Sequence, residues 1–328
     1  MSRQKRILVT GGAGFIGTNL IPLLLQRGYH VTVLDNLSTG SSKNLRDTTV
    51  DFVEGDILDV DLVNRVVAGH DGVVHLAAQT GVPASLLNPK RDCEVNVLGT
   101  LNVLEACRLA MLEQEAIDSA AKYNQSKREP LRMVFASSNA PLGRQAPPAN
   151  EDKAALPISP YGASKLAGEG YCLAYHGSWG VRTIALRFGN VYGPFSGHKG
   201  SVVAKFFTDI STKGKITIDG DGQQSRDFIY VGDLCRAIVL ALESKVSGEI
   251  FQISAGVETT ILELASLVQK TVQSTVTLEH GASRQGDIQK NYSTITKARQ
   301  VLKWEPVVKL EDGLRHTWEW FSQEFPKS

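Results

Sequence analysis

Tyr161 and Lys165 stand four positions apart in the run Ser159-Pro160-Tyr161-Gly162-Ala163-Ser164-Lys165. Ser159 suits an N-cap and Pro160 the first helical position, which predicts a helix starting here with both side chains on one face. A tyrosine with its ordinary pKa of about 10 is a poor base near neutral pH. A lysine ammonium alongside favours the phenolate and is expected to lower that pKa. The strand pattern Arg132-Met133-Val134-Phe135-Ala136-Ser137-Ser138 ends in two hydroxyls, and Ser138 could hydrogen-bond the same substrate oxygen that Tyr161 deprotonates. Together these three residues suit proton removal from an alcohol.

Near the start of the chain, Thr10-Gly11-Gly12-Ala13-Gly14-Phe15-Ile16-Gly17 joins a strand pattern, Ile7 to Val9, to a helical one, Phe15 to Gln26. Backbone at Gly11, Gly14 and Gly17 can approach a phosphate closely, and the helix that follows aims N–H groups at the anion. The next strand, Tyr29 to Leu34, runs into Asp35, 18 residues after Gly17. Dinucleotide-binding folds place an acid there to hold both hydroxyls of the adenosine ribose, and that acid repels a 2′-phosphate. The pattern therefore reads as an NAD site. A nicotinium charge beside Tyr161 would favour its phenolate further.

The elements that must carry these residues alternate as strand and helix through roughly the first 190 positions of the 328-residue chain. Strands are expected at Val50 to Asp56, Gly72 to Ala78, Arg132 to Ser138 and Thr183 to Phe188, the first three ending in small or polar residues. The expected fold class is α/β, a doubly wound parallel sheet with a smaller α/β C-terminal region, divided as 1–190 and 191–328 with interleaving allowed. The long helical stretch between Glu105 and Glu129 turns polar at Asn124 to Arg128, and a last amphipathic helix is expected from Glu311 to Phe325.

Lys plus Arg number 35 against 34 Asp plus Glu, so no global field draws nucleic acid or an anionic membrane, and neither is an expected partner. No apolar run reads as a membrane span of ~20 residues, and the N-terminus has no signal-peptide apolar region. Cys93, Cys107, Cys172 and Cys235 show no metal-ligand spacing; no metal is expected. These features suggest a reduced cytoplasmic protein.

Over nearly its full length the chain resembles the extended short-chain dehydrogenase/reductases of the nucleotide-sugar epimerase/dehydratase group, which are built on the Rossmann fold. The resemblance rests on the glycine run, Asp56-Ile57, His75-Leu76-Ala77-Ala78, Asn96-Val97-Leu98-Gly99-Thr100 and the Tyr161/Lys165 pair. Arg187-Phe188-Gly189-Asn190-Val191-Tyr192-Gly193-Pro194, Arg226-Asp227-Phe228-Ile229-Tyr230-Val231 and Arg284-Gln285-Gly286-Asp287 complete it. It implies a cofactor site made of Gly11, Gly14, Phe15, Ile16, Gly17, Asp35, Asn36, Asp56, Ile57, Leu76, Ala77, Ala78, Asn96, Tyr161 and Lys165. Asp56 and Ile57 would flank the adenine, and Lys165 would hold the nicotinamide ribose. Ser138, Tyr161 and Lys165 would be catalytic. Asn190, Arg226 and Arg284 would bind a nucleotide-sugar diphosphate, and Asp287 its uridine ribose. The competing role for Arg226 is a surface ion pair with Asp227.

Relatives usually carry valine and tyrosine where Pro141 and Leu142 stand. Dehydratases of the group carry an Asp-Glu pair after the catalytic hydroxyl, and decarboxylating relatives a glutamate nearby; here Asn139 and Ala140 occupy those positions. The resemblance thus implies NAD-dependent 4-epimerisation of a UDP-hexose through a transient 4-keto sugar, by a homodimer packed on helices including Leu101 to Arg108 and Leu166 to His176. The rival readings are a dehydratase or dehydrogenase on the same scaffold, a UDP-uronate epimerase, and a non-catalytic NAD sensor. In the epimerases that the chain resembles, the residue seven positions after the diphosphate-binding arginine gates the sugar's C2 substituent. Here that residue is Asn291, which leaves room for the N-acetylated pair of sugars as well as glucose and galactose. Only Lys199 follows the Tyr-Gly-Pro motif as a partner for a uronate carboxylate.

Overall fold

The computed structural model describes residues 3–120, 129–272, 276–283 and 288–325. Seven strands form the main sheet: β1 (Arg6–Thr10), β2 (His30–Asp35), β3 (Asp51–Glu54), β4 (Gly72–His75), β5 (Arg132–Ser138), β6 (Arg182–Phe188) and β7 (Glu249–Ile253), in the order β7-β6-β5-β4-β1-β2-β3. The pairs β1·β2, β1·β4, β2·β3 and β4·β5 are parallel. Ile7, Leu8 and Val9 are all buried, as expected of a strand covered on both faces, which reads as a continuous apolar run.

Register decides where the chemistry emerges. Thr10 pairs with Leu34 on one side and with His75 on the other, so the glycine turn, Asp35 and Leu76 to Ala78 leave the sheet at one edge. His75 pairs with Phe135, which carries Ser137 and Ser138 past the end of β4. Helix α1 (Phe15–Gln26) follows β1, α2 (Gly99–Ala120) precedes β5, and α3 (Pro160–Trp179) follows it. Val103, Leu104 and Cys107 of α2 and Cys172 and Tyr175 of α3 share one core with Leu8, Val73, Met133 and Phe135 of the sheet. The run Pro89–Ser119 is, contrary to the sequence-based expectation, long and apolar enough to cross a membrane; its buried apolar residues, Val103, Leu104, Ala106, Cys107 and Met111, lie in that core. The long helical stretch expected after Glu105 is the C-terminal part of α2, which reaches Ala120, and Asn124 to Arg128 fall outside the described residues.

The chain divides into two compact units, Met1–Gly143 with Ala155–Arg187 and Ile238–Phe251, and Arg144–Ala154 with Phe188–Ala237 and Gln252–Ser328. A single cut after residue 190 therefore does not describe them, because 144–154 leave the first unit and 238–251 rejoin it. In the second unit, α4 (Val202–Lys213), α5 (Ile261–Val272) and α6 (Leu310–Glu324) enclose a core of Phe206, Phe207, Ile216, Leu264, Leu314 and Phe321. Beside the five-residue pair Lys215–Asp219 and Thr277–Gly281, its other strands are short: Asn190–Tyr192 pairs with Phe228–Tyr230, and Ser225–Arg226 lies between Thr259–Thr260 and Lys290–Asn291.

Candidate active site

The predicted cap forms: Ser159 Oγ accepts from the Gly162 amide at 3.1 Å and starts α3 at Pro160. Tyr161 and Ser138 are joined by a side-chain hydrogen bond. Lys165 lies one turn on, buried, donating Nζ to the Ala136 carbonyl at 2.8 Å and sitting 4.9 Å over the Phe135 ring. Two glycines let the helix come this close. A Cβ on Gly162 would meet the Ala140 carbonyl oxygen at 2.6 Å, and one on Gly168 would meet Phe135 Cζ at 2.4 Å.

The electrostatics correct one expectation. Tyr161 is pushed up to about 12, chiefly by burial, with the Asp92 charge adding to the rise and the Ser138 hydrogen bond opposing it. Lys165 is pulled down to about 8 by burial, which outweighs the pull of Asp92, Cys172 and Glu169 toward the ammonium. Sequence spacing showed the lysine's charge but not the dry surroundings, and desolvation disfavours both charged forms.

Behind the pair lies a polar network that spacing did not reveal. Thr100 Oγ1 spends its one proton on the Asn96 carbonyl at 2.7 Å, so at 3.1 Å it must accept from His75 Nε2–H. His75 Nδ1 then accepts from Thr10 Oγ1 at 2.7 Å, and Thr10 Oγ1 accepts from the Ala77 amide at 3.3 Å. Burial holds His75 neutral, with its pKa down at about 3. Asn96, in a π-helical turn, clamps both the amide and the carbonyl of Gln79 and also reaches Asp92 Oδ2 and Ser164 Oγ. The loop after β4, carrying Leu76, Ala77 and Ala78, is thereby anchored from two sides.

The cofactor groups expected from the sequence share the same sheet edge, and their geometry fits NAD. Gly11 has φ +70°, and a Cβ on it would lie 2.6 Å from the Ala77 amide nitrogen. Gly17 packs on the turn so closely that a Cβ would lie 2.4 Å from the Gly12 oxygen. Helix α1 begins at Phe15 and Ile16 with Gly14 as N-cap and no side-chain cap, the form that receives a phosphate. Asp35 accepts from Ala13 N at 2.9 Å and Leu37 N at 2.8 Å; burial raises its pKa while these bonds oppose the rise. Asn36 donates to Asp56 at 3.0 Å, joining the ends of β2 and β3 beside buried Ile57.

In the second unit, Asn190 and Arg226 line one cavity of about 210 Å³ with Tyr192, Ser201, Lys205, and Gln224. Arg226 Nη1 donates to the carbonyls of Ser225 and Ile288 at 2.7 and 2.6 Å. Asp227, the alternative partner considered for it, is buried and accepts from the amides of Ala255, Gly256 and Ser293. Asn291 is the strand partner of Arg226. Arg284 and Asp287 lie outside the described residues.

A Rossmann-type sheet with a Ser–Tyr–Lys constellation at its carboxyl edge defines a short-chain dehydrogenase/reductase-like enzyme. The model of the NAD dependent epimerase/dehydratase family matches residues 7–254, and the chain belongs to that family. It is 35% identical over 325 residues to a UDP-glucose 4-epimerase of Mycolicibacterium smegmatis, covering 96% of this chain and 98% of that protein. It is 34% identical over 329 residues to a dTDP-glucose 4,6-dehydratase of Streptomyces niveus, covering 96% and 92%. Among solved structures, the UDP-glucose 4-epimerase of Thermotoga maritima with UDP-glucose superposes with a TM-score of 0.86 at 35% identity, over 97% of this chain and 99% of that one. Other relatives include UDP-glucuronic acid decarboxylases and a UDP-glucuronic acid 4-epimerase solved with NAD. The chain is thus an NAD-dependent enzyme of a family whose members differ in substrate and reaction.

Proposed function

We propose that this enzyme is a UDP-hexose 4-epimerase, acting on UDP-glucose and UDP-galactose and on their N-acetylated counterparts. The observation that carries the reading is the Ser138–Tyr161 hydrogen bond beside Lys165, followed by Asn139 and Ala140 rather than by acids. Neither of those two residues can donate or accept the proton that an elimination needs. Oxidation and re-reduction at one carbon need only a base, which Tyr161 supplies.

Burial alone would keep Tyr161 protonated, so the nicotinium charge of bound NAD would be needed to favour its phenolate. As phenolate, Tyr161 takes the proton from the sugar O4, and Ser138 shares the hydrogen bond to that oxygen. NAD, which Gly11, Gly14, Gly17 and Asp35 would hold, would supply the hydride acceptor for the oxidation and the donor for the re-reduction. The chain's own opposing influences on the phenol are the Ser138 bond, which favours the phenolate, and the Asp92 charge, which disfavours it. In the second unit, Asn190, Arg226 and Arg284 hold the diphosphate and Asp287 the uridine ribose, guanidinium forks being suited to phosphate. A uronate fits less well. Lys199, the one cation following the Tyr-Gly-Pro motif, donates Nζ to the Val191 carbonyl at 2.9 Å, and burial lowers its pKa to about 8.

The test is incubation with a panel of UDP-hexoses and product identification by NMR. Interconversion of the 4-epimers without added NAD supports the reading. A product that has lost water or carbon dioxide, or stoichiometric NADH release, refutes it. The reading includes a homodimer formed on α2 and α3, where Leu112, Tyr171, Leu173 and Trp179 are exposed; a stable monomer by light scattering at micromolar protein would exclude it.

A further inference from the structure

Glu169 lies two turns beyond Tyr161 and one beyond Lys165 on α3, so the three residues follow one another along one face. It is 1% exposed, and Arg187, its ion-pair partner on β6, is 4% exposed. The pair is bidentate: Arg187 Nε donates to Oε1 at 2.8 Å and Nη2 to Oε2 at 2.7 Å. Oε1 also accepts from Ser137 Oγ at 2.5 Å. Ser137 immediately precedes Ser138 on β5. One carboxylate therefore ties the catalytic helix to the last turn of the catalytic strand and to the strand beside it.

We infer that Glu169, with Arg187 and Ser137, is a positioning clamp that sets the height of α3 along β5 and so holds Tyr161 against Ser138. The inference rests on the proposed roles of Ser138 and Tyr161. Stability alone accounts poorly for such a pair. A buried ion pair often does no better than well-packed apolar residues of similar volume, because two desolvation costs offset the attraction. What apolar residues lack is direction. The fork fixes Glu169 in plane and along the helix axis, and the Ser137 hydroxyl passes that constraint to the neighbour of the catalytic serine. Close approach at Gly168 leaves the helix no cushion on Phe135, so a small slide of α3 is transmitted to Tyr161.

The experiment compares Glu169→Gln, the double variant Glu169→Met/Arg187→Met, and Ser137→Ala. Each is measured for thermal midpoint, for kcat and KM on UDP-glucose, and for the carbon-13 signal of the Tyr161 ring in protein without substrate, assigned with Tyr161→Phe. The clamp predicts that the double variant recovers a thermal midpoint near that of the wild type while its kcat stays down about 100-fold, the scale of a misplacement near 1 Å. KM stays close to wild type, and the Tyr161 signal shifts. Ser137→Ala, which leaves the ion pair intact, shows the same signature to a smaller degree and serves as the deciding variant where the others fail to fold. A folded double variant with wild-type kcat, or an unmoved Tyr161 signal in it, would overturn the clamp, as would wild-type kcat in Ser137→Ala. A wild-type protein inert toward every UDP-hexose would instead overturn the proposed substrate, while the ring signal still reports on the clamp.

Discussion

The first unit holds its chemical groups on long, regular elements, whereas the second displays its groups from strands two or three residues long. Ser138, Tyr161 and Lys165 stand on a seven-residue strand and a 20-residue helix, backed by the Thr10–His75–Thr100 and Asn96–Asp92–Ser164 hydrogen bonds. Arg226 and Asn291 stand on two-residue strands and are partly exposed, and Asn190 is exposed. Proton transfer tolerates little misplacement, so its residues are locked. Recognition can be altered by exchanging side chains on short strands without disturbing a sheet. This division agrees with a family that keeps one scaffold and varies its reactions and sugars.

If the division is real, substitutions in the first unit act on kcat and those in the second on KM. The largest effect is expected for Tyr161→Phe, which keeps the ring and removes the base. It should fold and bind NAD while losing about 10²- to 10⁴-fold in kcat. Turnover near the wild-type rate would remove Tyr161 from the mechanism. Next is Arg226→Met, which deletes a charged hydrogen-bond donor and should raise KM by about 10- to 100-fold. Arg226→Lys should rescue it poorly, because an ammonium lacks the planar fork that here also engages the Ser225 and Ile288 carbonyls. A fall in kcat with unchanged KM would break the comparison.

A third prediction concerns acid sensitivity in the locked unit. His75 has its folded pKa depressed to about 3 from 6.5. As the pH falls below 6.5 the unfolded chain takes up a proton that the folded protein refuses, so stability is lost on acidification. Between pH 7 and 5 this single group accounts for about 2 kcal/mol. His75→Gln should show a correspondingly flatter loss in urea unfolding at the two pH values. An equal loss in both proteins would mean that His75 does not supply it.

The parts legible in the sequence were those with local signatures. Gly11, Gly14, Gly17 and Asp35 are spaced by the turn they make, and the α3 start is written in Ser159 and Pro160. The illegible parts join residues far apart in the chain. Thr10 meets His75 across paired strands, and Glu169 meets Ser137 and Arg187 from a helix between two strands; no local pattern predicts such contacts. Burial misled the reading of Tyr161 for the same reason, because the dry environment is assembled from many segments while the lysine's charge is visible four residues away. The ends of the shortest strands were equally hidden. Lys290–Asn291 exists as a strand only through its pairing with Ser225–Arg226.

The smallest expected effect bears on that pairing. Asn291 lies beside Arg226 in register, which places the proposed gate for the C2 substituent next to a group assigned to the diphosphate. On the proposed reading its short side chain would leave room for an acetamido group and could hydrogen-bond that group's carbonyl. Asn291→Tyr should therefore depress turnover of UDP-N-acetylglucosamine and UDP-N-acetylgalactosamine by about tenfold relative to UDP-glucose and UDP-galactose. Because Asn291 sits on a two-residue strand in the second unit, the thermal midpoint and the rate on the plain hexoses should change little. Equal losses on both pairs of sugars would mean that the strand position, and not the side chain, governs binding, and Asn291 would cease to be the gate. A loss confined to the acetylated sugars would show that specificity here can be moved by one side chain while the Ser138–Tyr161–Lys165 machinery is left untouched.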